Sequence, residues 1–179
     1  PGPLLDKLAE LFNAIERAGA WPEGLERALI SLISKGKGSK ALDLRPISVM
    51  SAVYRLWAAT RVKHLMAWQE QWIATGQHGF RPRHGTDDCY WAMALRVQEA
   101  LLKGEPLGWL GLDFSKCFDL IPQKILFDLV EEMQLSARIT EPLKAMYRGL
   151  RRRFRFAGGV GKEFKATNGT LQGCPLSAV

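Results

Sequence analysis

The stretch Leu107-Gly-Trp-Leu-Gly-Leu-Asp-Phe114 decides which fold we expect for this chain. It is a short apolar run that closes on an acidic residue, which predicts a buried strand with a carboxylate at the rim of a sheet. Metals and substrates are commonly held at such a rim. Asp113 is therefore the first candidate site residue. An aspartate that only caps the next turn explains the spacing alone about as well.

A carboxylate in this place suits phosphoryl transfer. Magnesium takes hard oxygen ligands, and protein groups alone do not neutralise a triphosphate in its transition state. One carboxylate does not make a two-metal site. If Asp113 holds a metal, at least one further acidic residue has to come from elsewhere.

The rest of the chain alternates irregularly between helical and strand-like patterns. A basic, glycine-rich turn at residues 35–40 lies between two apolar segments and predicts a projecting hairpin. Helices that are segregated from a few non-adjacent strands predict an α+β fold. Helices are expected at residues 4–15, 52–73, 86–103, 122–133 and 139–150, and strands at 28–33, 151–156 and 162–165.

Composition narrows the classes of function. The 179 residues carry a net charge of +7, which favours a polyanionic partner, nucleic acid before an acidic membrane surface. The three cysteines form no CxxC pair, which argues against a disulfide framework and a zinc site and fits a reducing compartment. No apolar run approaches the roughly 20 residues of a membrane span. The first residues lack Met and any signal-peptide pattern, so we expect an excision from a longer protein.

Four blocks in a fixed order carry a resemblance to a known family. The stretch Gly111-Leu-Asp-Phe-Ser-Lys-Cys-Phe-Asp119 closely resembles motif A of reverse transcriptases. The fingers motifs of these enzymes are similar to Leu32-Ile-Ser-Lys35, Leu44-Arg-Pro-Ile-Ser-Val49 and Tyr54-Arg-Leu56. The block shared by the non-LTR (LINE-type) retrotransposon and group II intron branches resembles Gln77-His-Gly-Phe-Arg81 with Gly85-Thr-Asp-Asp88. Motif B resembles Gly169-Thr-Leu-Gln-Gly-Cys-Pro-Leu-Ser177, although Ala178 stands where the family usually has proline.

The resemblance implies the fingers and part of the palm of a right-hand polymerase. The fingers would span about residues 1–106 and the first part of the palm about residues 107–179. The implied activity is RNA-templated DNA synthesis from dNTPs by a two-metal mechanism. The implied cofactor is Mg²⁺ (or Mn²⁺), and the implied partners are an RNA template and a DNA primer, with no membrane.

The resemblance also implies roles for particular residues in motif A. Asp113 would be the catalytic metal ligand, and the backbone carbonyl of Phe114 would be a second ligand. Phe118 would be a bulky gate that presses against a ribose 2′-hydroxyl and accepts deoxyribose. A plain core phenylalanine is the alternative for Phe118. Asp119 is expected to anchor the following turn.

Cationic and motif B residues complete the expected nucleotide site. Lys35 and Arg45 would grip the incoming triphosphate, as a mobile point charge and a bidentate fork. A solvated charged hairpin is the alternative for this pair. Gln172 and Gly173 would form the motif B pair, in which the glycine allows close backbone approach and the glutamine contacts the sugar or template base.

Two arginine-rich segments are candidates for nucleic-acid contact. Arg81 and Arg83 lie in the glycine-rich block. In the run Arg151-Arg152-Arg153, strand geometry would put cations on one face and Phe154 and Phe156 on the other. A solvated edge strand blunted by charge explains the run nearly as well.

Reverse transcriptases complete the metal site with a Tyr-x-Asp-Asp hairpin that this sequence does not contain. We therefore expect the thumb, the remaining palm and any endonuclease or RNase H domain to lie in the rest of a polyprotein, and this chain alone not to polymerise. The expected location is intracellular, cytoplasmic at synthesis and nuclear at retrotransposition. The alternatives are an RNA-dependent RNA polymerase, a group II intron maturase and a non-catalytic RNA-binding scaffold derived from a reverse transcriptase.

Overall fold

The computed structural model describes residues 2–36 and 43–178. Helices and a small mixed sheet occupy different parts of the chain, so the predicted α+β class is confirmed. The helices are α1 (Pro3–Ala18), α2 (Ala52–Gln69), α3 (Thr86–Lys103), α4 (Cys117–Leu120), α5 (Gln123–Glu132) and α6 (Ala137–Gly149), followed by a 3₁₀ helix at Pro175–Ala178. The strands are β1 (Arg27–Ser34), β2 (Leu44–Met50), β3 (Arg151–Phe156) and β4 (Gly159–Val160).

The sheet has the order β2-β1-β3-β4. Strand β1 pairs antiparallel with β2 and parallel with β3, and β3 pairs antiparallel with β4. Ile30 in the middle of β1 lies opposite Ser48 on one side and Phe154 on the other. The central strand therefore joins two segments that are more than 100 residues apart in the chain.

Aromatic side chains form the core between the sheet and the helices. Trp57 and Tyr54 on α2 have no exposed surface, and Trp21 packs edge-on against the Trp57 ring at 5.3 Å. Each buried indole has a hydrogen-bond acceptor: Trp57 Nε1 donates to Glu16 Oε1 (2.9 Å), and Trp21 Nε1 donates to the Pro142 carbonyl (2.8 Å). These bonds fix α1, α2 and α6 against one another and leave neither indole unpaired.

The expectation of a buried strand at residues 107–114 is wrong. Residues 105–114 have no regular secondary structure and are exposed, with Leu110 at 84% and Phe114 at 76%. A strand forms only where its backbone groups find partners on a neighbouring strand. Within residues 2–36 and 43–178 no strand pairs with this segment, so Asp113 does not lie at the rim of a sheet.

Helix α3 forms where the sequence predicts it, but it packs against little. Asp88 Oδ2 accepts a hydrogen bond from the backbone N–H of Gly85 (2.7 Å), and two acids in the first turn favour the positive end of the helix dipole. Of its residues, only Ala100 is buried. Large apolar side chains remain exposed along the helix: Tyr90, Trp91, Met93, Leu95, Val97, Leu101 and Leu102.

Smaller differences concern the ends of elements. Helix α2 ends at Gln69 rather than near residue 73, and the strand expected at 162–165 is reduced to a single bridge between Phe164 and Arg152. The β1–β2 pairing confirms that the two apolar segments lie side by side, while residues 37–40 of the expected hairpin lie outside the described residues.

No helix in the described part of the chain combines the length and the apolar character that crossing a membrane requires.

Candidate functional site

A cavity of about 490 Å³ lies at the end of the β1–β2 pair and contains most of the predicted nucleotide site. Three cations line it, Lys35, Arg45 and Lys116, together with the polar side chains of Asp119 and Gln172. Its remaining walls are apolar: Leu32, Leu44, Pro46, Leu120 and Phe154. A larger cavity of about 590 Å³ between α5 and α6 contains none of the predicted site residues.

Strand pairing explains why Lys35 and Arg45 meet. Ser34, the last residue of β1, lies opposite Leu44, the first residue of β2, and Ile33 lies opposite Arg45. Antiparallel pairing therefore brings the end of one strand beside the start of the other, with Lys35 and Arg45 both exposed at that end. Two exposed cations beside a concave surface form a site for a polyanion.

The segment from Gly169 to Cys174, which we call the clasp segment, closes the other side of the cavity. The Ser48 backbone N–H donates to the Gln172 carbonyl (2.7 Å), and the Thr170 N–H donates to the Phe118 carbonyl (2.7 Å). The clasp segment thus bonds to strand β2 on one side and to helix α4 on the other. This contact fixes the predicted motif B residues against the predicted motif A residues.

Two glycines permit this close packing. A Cβ atom on Gly173 would lie 2.9 Å from the Ser48 carbonyl oxygen, and one on Gly169 would lie 2.8 Å from the Asp119 carbonyl oxygen. Their φ angles, +106° and +83°, fall in the region that side chains disfavour. Close backbone approach, which the resemblance implied for Gly173, is present at both glycines.

A side-chain hydrogen bond orders the polar wall of the cavity. Gln172 Nε2 donates to Asp119 Oδ1 (3.0 Å), which ties the glutamine of motif B to the second acid of motif A. Asp119 therefore contacts Gln172 as well as standing at the turn it was expected to anchor. Lys116 had no predicted role, although it lies within the motif A block. It has a left-handed backbone (φ +51°) and lines the cavity.

Arg152 does not share the exposed face of its neighbours. It is only 9% exposed and its Nε has no hydrogen-bond partner, whereas Arg151 and Arg153 are about half exposed. Burial lowers the pKa of the Arg152 guanidinium, and the nearby Tyr147 and Asp119 side chains oppose this effect. The expectation that all three arginines face nucleic acid is corrected, because strand alternation puts Arg152 on the same face as Phe154.

The other predicted nucleic-acid contacts are partly engaged within the protein. Arg151 and Arg153 approach Glu163 at 3.8 and 3.1 Å. Arg81 holds both Glu70 oxygens and the carbonyls of Ala74 and Gln77, and the hydrogen bonds from Arg81 lower the pKa of the Glu70 carboxyl.

Arg83 is exposed, with a left-handed backbone (φ +62°). It thus keeps its cation at the surface of the loop, whereas the Arg81 guanidinium is committed to Glu70.

The motif A residues assigned to metal and sugar do not line the cavity. Asp113 and Phe114 are exposed in the irregular segment, and Phe118 is half-buried and is not among the residues that line the cavity. Among the described residues, no group of three carboxylate, imidazole or thiolate ligands includes Asp113. Asp113 is thus outside any preassembled ligand group of this kind in the described residues, and we derive no step through a metal.

Replacing Gly173 by alanine tests the clasp. We expect Gly173→Ala to lower the free energy of unfolding by at least about 2 kcal/mol, since the new Cβ has a strained φ and overlaps the Ser48 carbonyl. Gly158→Ala is the matched control, because its Cβ meets nothing within 4 Å, and it should stay within about 0.5 kcal/mol. Urea unfolding followed by circular dichroism measures both; equal effects would contradict the close approach at Gly173.

A comparison with protein families finds a match over the part of the chain that contains these motifs. The family model described as reverse transcriptase (RNA-dependent DNA polymerase) matches residues 33–179, which is most of the chain. The match includes the cavity residues from Lys35 to Gln172. Proteins of this family synthesise DNA on an RNA template, act on template and primer strands, and generally use divalent metal ions. The chain therefore belongs to the reverse transcriptase (RNA-dependent DNA polymerase) family.

Proposed function

We propose that this chain supplies the triphosphate-binding side of the dNTP site in an RNA-directed DNA polymerase. The observation that carries the proposal is the cavity in which Lys35, Arg45 and Gln172 converge. The sequence resemblance had assigned all three to the nucleotide, and they come from the residue that follows β1, from β2 and from the clasp segment. A triphosphate binds at such a place through charge-assisted hydrogen bonds.

The charges of the cavity suit this substrate. Lys35, Arg45 and Lys116 supply positive charge, and among the described residues the lining contains one carboxylate, Asp119, whose Oδ1 accepts a hydrogen bond from Gln172 Nε2. The Arg45 fork can hold two phosphate oxygens at once, whereas the lysines act as mobile point charges. The apolar wall of Leu44, Pro46 and Leu120 reduces competition from water for these contacts.

We infer that Asp113 and the Phe114 carbonyl bind Mg²⁺ or Mn²⁺ in the assembled polymerase. Such ions would stabilise the negative charge that develops on the transferred phosphoryl group. Asp113 brings one carboxylate, and oxygen-ligand sites for these ions need several ligands. The remaining ligands would come from other parts of the polymerase.

The apolar surface around Asp113 supports a further part of the same proposal. Leu107, Trp109, Leu110 and Leu112 are all exposed, and so is much of α3. Large exposed apolar surfaces on a soluble protein often mark places that another protein segment covers. We propose that further palm segments of a longer polyprotein cover it and pair with residues 107–114. In this proposal the fingers occupy about residues 1–106 and the first part of the palm about residues 107–179.

We place the parent protein in the non-LTR (LINE-type) or group II intron-like branch, on the blocks Gln77–Arg81 and Gly85–Asp88. Its template would be RNA and its primer DNA. A retroelement protein of this kind would be made in the cytoplasm and act in the nucleus. Viral-type RNA polymerases are the rival, and the sugar selected by the enzyme separates the two.

The grip on the triphosphate is tested by binding of a dNTP to the chain. We expect Lys35→Ala and Arg45→Ala each to weaken dTTP binding at least about tenfold, because a hydrogen bond to a charged group contributes about 1.5–3 kcal/mol. The control is Lys124→Ala, an equal loss of charge beside the α5–α6 cavity. Isothermal titration calorimetry measures all three. An equal effect of Lys124→Ala would make the attraction a matter of net charge and would contradict the proposal.

Sugar selection tests the role of Phe118. In the complete polymerase, Phe118→Val or Phe118→Ala should raise the use of rNTPs relative to dNTPs, since a smaller side chain leaves room for the 2′-hydroxyl. Leu120→Ala is the control, because Leu120 lines the cavity without being the proposed gate. Single-nucleotide extension with matched rNTP and dNTP measures the ratio. An unchanged ratio in the Phe118 variants would make Phe118 a packing residue only.

Binding of a template–primer duplex tests the exposed arginines. Each phosphate contact steepens the fall of log affinity with log salt by about 0.9 for B-form DNA. We expect the double variant Arg151→Ala/Arg153→Ala to flatten this slope by about one to two, with little dependence on base sequence. The control, Arg96→Ala/Lys103→Ala, removes the same charge from α3 and should leave the slope unchanged. Fluorescence anisotropy over a salt series measures both slopes. Equal slopes for the two variants would mean that the β3 arginines are solvated surface charges that do not contact phosphate.

A further inference from the structure

Two histidines and one aspartate converge in the loop between α2 and α3, away from the cavity. Nδ1 of His78 and Nδ1 of His84 lie 3.1 Å apart, and their rings are 5.3 Å apart between centroids. Ligand atoms of His78, His84 and Asp88 all lie within 4.8 Å of one another. Both histidines are half-buried and Asp88 is exposed. Among the described residues, this is the one group of three or more potential metal-binding side chains so arranged.

The local structure holds the two imidazoles together. Arg81, between them in sequence, is fixed to Glu70 at the end of α2 by two side-chain hydrogen bonds. Phe80 and Arg83 have left-handed backbones (φ +60° and +62°), which fold residues 78–84 back on themselves. Asp88 belongs to the first turn of α3 and faces the loop, since its Oδ2 accepts from Gly85 N–H. The cluster therefore joins the loop to the first turn of α3.

The distances suit a transition metal. With zinc–nitrogen bonds of about 2.0–2.1 Å, two nitrogens 3.1 Å apart subtend roughly 100° at the metal, close to the tetrahedral angle. Imidazole and carboxylate together favour zinc and similar ions, whereas magnesium prefers oxygen ligands. Without a metal, the same two nitrogens can only share one proton as donor and acceptor.

We propose that His78, His84 and Asp88 form a zinc site that fastens the 76–85 loop to the start of α3. Three protein ligands leave a fourth position for water. The spacing of the cysteines pointed away from zinc, but that argument does not concern imidazole ligands. The proposal is independent of the dNTP site, because none of its residues lines that cavity.

Direct metal binding to the 179-residue chain tests the proposal. We expect one Zn²⁺ per chain by calorimetry, and one Co²⁺ with the visible absorption of a tetrahedral nitrogen–oxygen site, neither displaced by millimolar Mg²⁺. His78→Asn and His84→Asn should each weaken Zn²⁺ binding at least about tenfold, since even the loss of an outer-shell partner costs about 10–100-fold. Zinc should also slow proteolysis of the 76–85 loop in the natural chain and not in these variants.

The controls separate this site from adventitious binding. His64→Asn removes the third histidine of the chain, which lies on α2 and contacts the Thr60 carbonyl, and should bind zinc like the natural chain. Asp88→Asn keeps an oxygen that can accept from Gly85 N–H but loses the anionic ligand. It should weaken zinc binding with an unchanged helical circular dichroism spectrum, so the test holds even if a histidine variant misfolds.

Three results would overturn the proposal. The first is no zinc binding at micromolar concentration, which would leave an imidazole–imidazole hydrogen bond only. The second is an equal loss in His64→Asn and His78→Asn. The third is binding abolished by Cys89→Ser but retained in both histidine variants, which would assign the metal to the exposed thiol that follows Asp88.

Discussion

The close backbone packing of the clasp segment is the constraint on which the candidate site depends. Gly173 passes the Ser48 carbonyl of β2, and Gly169 passes the Asp119 carbonyl of α4, at distances that leave no room for a Cβ. The hydrogen bonds between the clasp segment and Ser48 and Phe118 form only because the backbones approach so closely. We expect a side chain on Gly173 to push the clasp segment away from β2, and one on Gly169 to push it away from α4. Either change would alter how Gln172 faces Lys35 and Arg45 across the cavity.

Two buried tyrosines of the aromatic core also hold the clasp segment in place. The Leu171 backbone N–H donates to the Tyr147 hydroxyl (3.2 Å), and the Tyr54 hydroxyl lies 3.2 Å from Cys174 Sγ. Both tyrosines are buried, and burial is the main cause that raises the pKa of each phenol. They therefore stay neutral and can serve as hydrogen-bonding groups inside an apolar core. Gln172 lies between Leu171 and Cys174, the two residues that these tyrosines contact. Tyr54 on α2 and Tyr147 on α6 therefore help to hold Gln172 at the cavity wall.

The sequence predicted correctly the features that depend on interactions between residues close together in the chain. Helix α3 follows from its capping acids and its terminal glycine, and the meeting of Lys35 with Arg45 follows from the pairing of two adjacent apolar segments. The segment 107–114 has the composition of a strand, but a strand depends on a partner, and composition does not specify one. The prediction for Arg152 failed for a different reason. Side chains alternate along β3, so Arg152 lies on the same face as Phe154, but the run was interpreted by its charge and not by this alternation.

The convergence of the two histidines and Asp88 could not be predicted from the sequence, because their positions follow no helical or strand periodicity. Its geometry depends on two left-handed residues and on the Arg81–Glu70 ion pair, which links the loop to the end of α2. The spacing of His78, His84 and Asp88 was visible in the sequence. Only the folded loop shows that the two Nδ1 atoms face each other.

The cationic end and the carboxylate end of the proposed nucleotide site are held in place by different parts of the structure. The cationic end is built from the β1–β2 pair, the residue that follows β1 and the clasp segment, which are joined by hydrogen bonds between described residues. The carboxylate end rests on Asp113, in a segment with exposed apolar side chains and no pairing strand among residues 2–36 and 43–178. A preformed cationic end can attract a triphosphate before the metal ligands are in place, because electrostatic attraction needs no fixed carboxylate. In the proposed mechanism, catalysis requires the metals and the phosphate to be held in a fixed geometry, so it begins only once Asp113 is positioned. Binding and catalysis in this protein would therefore depend on separate structural events, and pairing of the 107–114 segment would control only the second.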